Sequence, residues 1–298
     1  MGKDADRVFT RISPEARVMT QWIKTEREIE GMRRAGRFNA RLMDAVRSRV
    51  KPGVSTERID DWIREFTLDH GHTPACMNYR GYPKNSCISV NEVVCHGVPS
   101  PDIVLKEGDI VNIDLTTIVE GFFGDQSETF LVGAVSPETR KLVVAAGNAL
   151  VEGIQTVREG IPFARIGESI EDYIRPLGYS VVVDYTGHGI GRRFHEEPPI
   201  YHFRNNETAN YLMAPGMTFT VEPMINAGTW RVEVDSRDRW TVRTLDRKPS
   251  AQFEHTVLVT PRGVEILTLT EMQADAGKIC LLSDHERNTP GSETSLSG

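Results

Sequence analysis

The 298-residue chain carries 42 acidic against 35 basic side chains, for a net charge of −7, with 39% hydrophobic and 26% charged residues. Such a composition suits a globular protein large enough to build its own core, and the acidic balance argues against specific nucleic acid or an anionic membrane as the main partner. No apolar run is long enough to span a membrane and the first residues lack a signal-peptide core; four cysteines without a C-x-x-C pair fit a reducing, cytoplasmic setting better than a zinc finger or a disulfide scaffold.

Residues 1–20 lack periodicity and read as an N-terminal extension; Asp6 stands where a myristoylation motif after Met1-Gly2 needs Ser or Thr. Thr25 to Glu28 forms a capping box, and Ile29, Met32, Ala35, Leu42, Met43 and Val46 follow at helical spacing until Lys51-Pro52-Gly53. The basic residues of this stretch, Arg33 to Lys51, read as the solvated face of that helix. Ser55 or Thr56 caps a second helix with Ile59, Trp62, Ile63 and Phe66, ending near Gly71. A strand-rich region follows to about Val132. Within it, Asp114 and Asp125 sit in two apolar runs around Glu120-Gly121, which reads as a hairpin. Ser136-Pro137-Glu138 opens another helix, Gly160 stops it, and a helix with Ile166, Ile170 and Tyr173 runs to Gly178. Strands are expected at Val181–Tyr185, Met217–Glu222 and Ala251–Val259, with a loop over 195–212. Beyond about residue 271 the chain turns polar and small. Residues 21–271 read as the main domain and 272–298 as a disordered tail.

The two halves match each other. Adding 107 takes Gly53 to Gly160, Ile59 to Ile166, Ile63 to Ile170 and Gly71 to Gly178. Adding 108 takes Val111 to Phe219, Ile113 to Val221 and Asp114 to Glu222. A long-period match that also superposes two acidic residues in strands points to a duplicated unit.

Four segments place an acid or imidazole in a strand or tight turn: Asp114 with Asp125, His188 between glycines, Glu222 before Pro223, and Glu254 in a β-run. Taken singly, each has a bland reading: edge-hairpin acids, a satisfied turn histidine, a strand end, a solvent-facing acid. Together they make four carboxylates and one imidazole. Two metals sharing bridging carboxylates use such a set, and it suits Mn, Fe, Co or Zn. Two ions about 3.5–4 Å apart can clamp a water and polarise a carbonyl, the chemistry of amide or ester hydrolysis. His195-Glu196-Glu197-Pro198-Pro199 is not H-E-x-x-H, and the glycines at 187, 189 and 191 have the wrong spacing for a dinucleotide loop.

From about Thr25 to Leu269 the chain closely resembles the type I methionine aminopeptidases, through NYRGYPKNSCISVNEVVCHGVP (78–99), VNIDLT, GFFGDQSETF, GHGIGRRFHEEP, MTFTVEPM and SAQFEHTVLVT in that order. The resemblance implies an α+β pita-bread fold, with internally duplicated halves around a strongly curved antiparallel sheet. It implies two divalent metal ions on Asp114, Asp125, His188, Glu222 and Glu254, with Asp125 and Glu254 bridging. Asp114 completes one metal, and His188 with Glu222 the other. His96 and His195 match the histidines that contact substrate and intermediate, and Glu222 the proton-transfer carboxylate. The methionine pocket would be Cys76, Tyr79, Tyr82, Cys87, Phe194 and Trp240; the same side chains read without the family as ordinary core.

The expected function is removal of the initiator methionine from nascent polypeptides with a small second residue. The enzyme would act as a cytoplasmic monomer at the ribosome, with no specific nucleic acid and no membrane. Rival readings are an Xaa-Pro peptidase or creatinase, and a binding module that has lost its metals. The segment 76–95 and the intact ligand positions oppose them. The zinc-finger extension of some eukaryotic members and the insert of type II members are both absent from the motif order.

Overall fold

The structure, a computed structural model, describes residues 15–282; the first fourteen residues of the expected extension and residues 283–298 of the expected tail lie outside the described residues. Helix α1 spans Glu26–Arg47. Its capping box is formed: the Thr25 hydroxyl accepts from the Glu28 N–H, and the Glu28 carboxylate accepts from the Thr25 N–H at 3.0 Å. Helix α2, Thr56–Asp69, is capped by Ser55, whose hydroxyl accepts from the Arg58 N–H. Helix α3, Pro137–Gln155, starts on Ser136 with proline in its first turn. Helix α4, Ala164–Ile174, runs through a 3-10 turn into Gly178, whose left-handed φ of 80° lets the chain reverse.

A nine-stranded sheet, antiparallel at every pairing, lies beside these helices. Its path runs Thr73–Pro74, Ile110–Val119, Phe122–Leu131, Glu254–Thr260, Thr218–Val221, Gly187–Gly189, Glu196–Ile200. Cys87–Val90 pairs with Ile110–Val119, and Gly263–Ile266 with Glu254–Thr260. Two three-stranded sheets flank it. The 108-residue repeat is visible in this order. Strands Ile110–Val119 and Thr218–Val221, the matched pair, stand outside, and Phe122–Leu131 and Glu254–Thr260 lie between them.

Strand alternation sorts the side chains. Val111, Ile113 and Leu115 pack with Leu42, Met43 and Val46 of α1 and Ile59 and Ile63 of α2. Phe219 and Val221 pack with Leu150 and Ile154 of α3 and Ile166 and Ile170 of α4. The intervening residues Asn112, Asp114 and Thr116, and Thr220 with Glu222, are thereby turned to the other face. Helix α1 comes very close: a Cβ at Gly124 would stand 2.5 Å from the Ala35 carbonyl, so only glycine allows this approach. On the helix side of Phe122–Leu131, the buried Glu128 carboxylate is held by the Arg47 guanidinium of α1.

The structure departs from the expected elements in five places. The expected 195–212 loop contains the strand Glu196–Ile200 despite Pro198 and Pro199, because it is an edge strand and needs no second ladder. Of the expected 181–185 strand only Val181 lies in a strand, together with Ser180 before it, and Gly187–Gly189 enters the main sheet instead. The expected strand 251–259 breaks at Phe253, where the chain crosses from a flanking sheet, Ser250–Gln252, to the main one. The tail expected from 272 is, in its described part, packed: helix α5 spans Glu271–Asp275, Cys280 is fully buried in the α3–α4 core, and the His255 ring bonds the Ile279 carbonyl at 2.8 Å. Residues 15–20 of the expected extension likewise pair, Arg17 bridging to Tyr211.

Burial pushes the Glu128 carboxyl up, and Arg47 opposes that. Arg47→Ala leaves a buried charge without its partner, so urea unfolding at neutral pH should show a loss of about 3–5 kcal/mol. Glu128 in the variant then has a folded-state pKa above its unfolded one. The penalty should therefore shrink as the pH is lowered and the carboxyl protonates in place.

Candidate active site

The register of the sheet converges three carboxylates. Asp114 and Glu254 each stand opposite Ser127, one on either side, and Asp125 lies two residues before Ser127 on the same face. Their oxygens come within 4.8 Å of one another. Asp125 and Glu254 are buried and Asp114 is partly so. His188 enters from the other side: its Nε2 lies 3.6 Å from Asp125 Oδ2 and 3.7 Å from Glu222 Oε1. The five side chains thus form two overlapping groups, Asp114–Asp125–Glu254 and Asp125–His188–Glu222, with Asp125 common to both.

This centre is built almost wholly of acceptors. His188 Nδ1 lies 3.0 Å from the Gly189 carbonyl and must carry its proton there, so Nε2 presents a lone pair to the two carboxylates. Burial holds the His188 imidazole down, at about 4, so it stays neutral. Burial pushes Asp125 up to about 7. Asp114, Glu222 and Glu254 are raised well above the carboxylate range by burial and by the neighbouring carboxylates. Donors reach only the periphery: Thr116 Oγ1 donates to Asp125 at 2.6 Å, Thr220 Oγ1 to Glu222 at 2.9 Å, and Gln252 Nε2 to the other Glu222 oxygen at 3.2 Å. Four acids, three of them buried and Asp114 partly so, and a lone pair facing one another without a central donor fit bound cations in chemistry and in geometry.

Beside the carboxylates lies a buried apolar cluster that includes the residues expected to form the methionine pocket. Cys76, Tyr82 and Cys87 cluster with Val98, Phe194 and Trp240. Tyr79 joins through Phe194, ring centroids 4.8 Å apart, and Tyr82 meets Trp240 edge-on at 5.2 Å. All six pocket residues expected from the sequence are therefore together. His195 links pocket and carboxylates. Its Nδ1 bonds the Tyr79 hydroxyl at 2.8 Å, and its ring lies 4.1 Å from that of His188. Burial, helped by His188, Arg80 and His96, lowers His195 to about 3. His96 sits at a left-handed φ of 54°, edge-on to Tyr185 and Trp240, and burial lowers it to about 4.

Several contributors had no sequence signal. Thr116, Thr220 and Gln252 are ordinary strand residues until the register brings them to the carboxylates. His202 is fully buried behind the centre and accepts the Glu222 N–H at 3.0 Å. Phe123 stacks on Phe194 at 5.6 Å. The polar side of the strand alternation around Asp114 was the one available hint for Thr116.

Comparison with known proteins agrees with this geometry. Residues 30–261 match Metallopeptidase family M24. The methionine aminopeptidase of Escherichia coli K12 is 48% identical over 248 residues, covering 83% of this chain and 93% of that protein. The crystal structure of methionine aminopeptidase from Rickettsia prowazekii superposes with a TM-score of 0.80 at 46% identity, over 83% of this chain and 99% of that one. A prolidase from Pyrococcus furiosus superposes with a TM-score of 0.66 at 22% identity, a likeness of fold alone.

The raised carboxyls make a prediction for metal-stripped protein. Asp125, at about 7 in the fold against an ordinary 3.8, favours the folded state at low pH, and that contribution disappears as pH rises through 7. Thermal unfolding of stripped protein should therefore show Tm falling from pH 5 to pH 7.5. Asp125→Asn should flatten the fall, and added divalent metal should reverse it in the unsubstituted protein only.

Proposed function

The chain belongs to metallopeptidase family M24, whose members use divalent metal, and on that premise we propose that it is a methionine aminopeptidase. Its substrates would be nascent polypeptides whose second residue is small. It would meet them in the cytoplasm, at the ribosome, as a monomer. The observation that carries this reading is the union of two halves. An acceptor-only cluster suited to divalent cations adjoins an aromatic and sulfur-lined pocket suited to a thioether, and His195 touches both. The packed residues up to 282 belong to this catalytic unit.

Asp114, Asp125, His188, Glu222 and Glu254 would hold two ions of the Mn, Fe, Co or Zn group, Asp125 and Glu254 shared. The position of Asp125 in both side-chain groups supports that division. When bound, the ions supply Lewis acidity and a water activated at neutral pH. The protein supplies the rest. Glu222, raised by burial among carboxylates, can take a proton and pass it on. His195 Nδ1 and the Tyr79 hydroxyl are 2.8 Å apart; with the hydroxyl as donor, the Nε2–H of His195 would be free to donate to substrate. A neutral His195 thus faces the charge that develops on the substrate carbonyl oxygen. His96, near the pocket through Trp240, would contact the nitrogen of the cleaved bond. The pocket orients the methionine side chain and excludes water. An Xaa-Pro peptidase shares this fold but offers no account of the Cys76–Tyr82–Cys87 pocket, and a metal-free binding module does not account for five intact ligand positions.

Turnover of a Met-Gly and a Met-Lys peptide, with metal analysis, tests the reading. Methionine should be released from the first and hardly from the second; chelation should abolish release, and Mn, Fe or Co should restore it. Full activity in chelated enzyme, or equal cleavage of both peptides, would overturn it.

His195→Ala should lower kcat by about 10²–10³ while metal stoichiometry stays unchanged. Loss of metal in proportion to activity would instead make His195 a ligand.

A further inference from the structure

Tyr82 and Cys87, two members of the apolar cluster, lie in a short loop and at the first residue of the strand Cys87–Val90. Residues 82–86 have no regular secondary structure. One carboxylate outside the cluster ties this loop to α2. Asp60, on α2 and only 2% exposed, accepts four hydrogen bonds from the two residues that precede Cys87. Its Oδ1 takes the Asn85 N–H at 3.0 Å, the Ser86 N–H at 2.8 Å and the Ser86 hydroxyl at 2.7 Å; its Oδ2 takes the Asn85 side-chain amide at 2.7 Å. The Tyr82 hydroxyl in turn lies 3.0 Å from the Ser86 carbonyl and 2.9 Å from that of Gly97. Lys84 adds a second tie to the same helix, 2.7 Å from Glu57. Cys87 stands opposite Asp114 in the sheet, so the chain passes within two residues from the Asp60 anchor to the carboxylate centre.

We propose that Asp60 is a positioning residue for substrate specificity: by clamping Asn85 and Ser86 it sets the depth and shape of the pocket that receives the first side chain of the substrate. The inference rests on the methionine aminopeptidase reading for the identity of that side chain. Asp60 itself touches neither the pocket nor the carboxylates. A buried carboxylate is costly unless its lone pairs are used, and here both oxygens are used on one turn. Burial does raise the Asp60 carboxyl, and the Ser86 and Asn85 bonds oppose that rise. Helix α2 packs on the main sheet through Ile59 and Ile63, on either side of Asp60 in sequence, so the anchor is rigid. The result is that the pocket wall is referenced to a helix and the metal-facing residues to the sheet.

The conservative substitution separates positioning from mere stability. Asp60→Asn keeps one oxygen for the three Oδ1 bonds, and a flip of the Asn85 amide lets its oxygen accept from the new NH₂ group, so all four contacts survive. Asp60→Ala removes them all. With Met-Gly and Leu-Gly peptides on metal-loaded enzyme, Asp60→Ala should raise KM for the methionine peptide about ten-fold. Its kcat should stay within about two-fold, and the preference for methionine over leucine should fall. Asp60→Asn should restore both KM and preference. Ser86→Ala, which deletes one contact, should move KM in the same direction by about two- to three-fold, and it decides the matter if Asp60→Ala does not fold. Unchanged KM and unchanged preference in Asp60→Ala and Ser86→Ala would overturn the inference while leaving the function intact. So would a fall in kcat accompanied by loss of metal. Unsubstituted enzyme that releases no methionine would overturn the function itself, and the inference with it.

Discussion

Everything in this molecule is arranged around a repulsion. Asp114, Asp125 and Glu254 converge from three strands and Glu222 joins them from the end of a fourth, in a largely buried space where, among the described residues, no lysine or arginine pairs with them. Such a cluster is unfavourable in isolation. It persists because the surrounding structure over-determines each position. Val111, Ile113 and Leu115 lock the phase of one strand, and Phe219 and Val221 lock another. A slip of one residue would move each acid into the helix-packed core, where the cost would be larger still. The favourable burial of the helical face therefore holds in place the unfavourable burial on the other.

The helices have distinct tasks in this arrangement. Helix α1 approaches the sheet so closely that Gly124 has no room for a side chain, and its Arg47 balances Glu128 on the side opposite the carboxylates. Positive charge is thereby kept off the carboxylate face, where a guanidinium would compete with any bound cation. Helix α2, through Asp60, holds the loop that leads into Cys87. Helices α3 and α4 repeat the covering of α1 and α2 on the second half. The flanking sheet of Ser250–Gln252, Met224–Asn226 and Ser180–Val181 then delivers Gln252 to Glu222.

Much of the fold was legible in the sequence, for identifiable reasons. The helices were marked by caps, by 3.6-residue spacing and by glycines that go on to adopt positive φ, such as Gly160 and Gly178. The repeat was legible because it kept chemistry as well as pattern: Asp114 lies in one of the matched strands and Glu222 directly follows the other. The four acids and one imidazole could be gathered as a set because each is anomalous in an apolar strand or glycine turn. What could not be read was pairing. Strand Glu196–Ile200 carries two prolines and looks like loop until its edge position is known. Thr116, Ser127 and Gln252 matter only through register, which a linear pattern does not encode. His202, Asp60 and Cys280 are ordinary letters whose importance lies in what long-range packing places beside them.

The order of strands also has a consequence in time. Strand Glu254–Thr260, among the last to be synthesised, lies at the middle of the main sheet, joining Phe122–Leu131 to Thr218–Val221. The hairpin bearing Asp114 and Asp125 can form locally, but it has no neighbour on its open edge until some 130 residues later. At roughly 5–20 residues per second, that edge waits on the order of ten seconds for its partner. The strand that closes it also brings the fourth carboxylate, Glu254. A growing copy of this chain is thus spared a complete acidic cluster until the interleaved sheet is there to contain it.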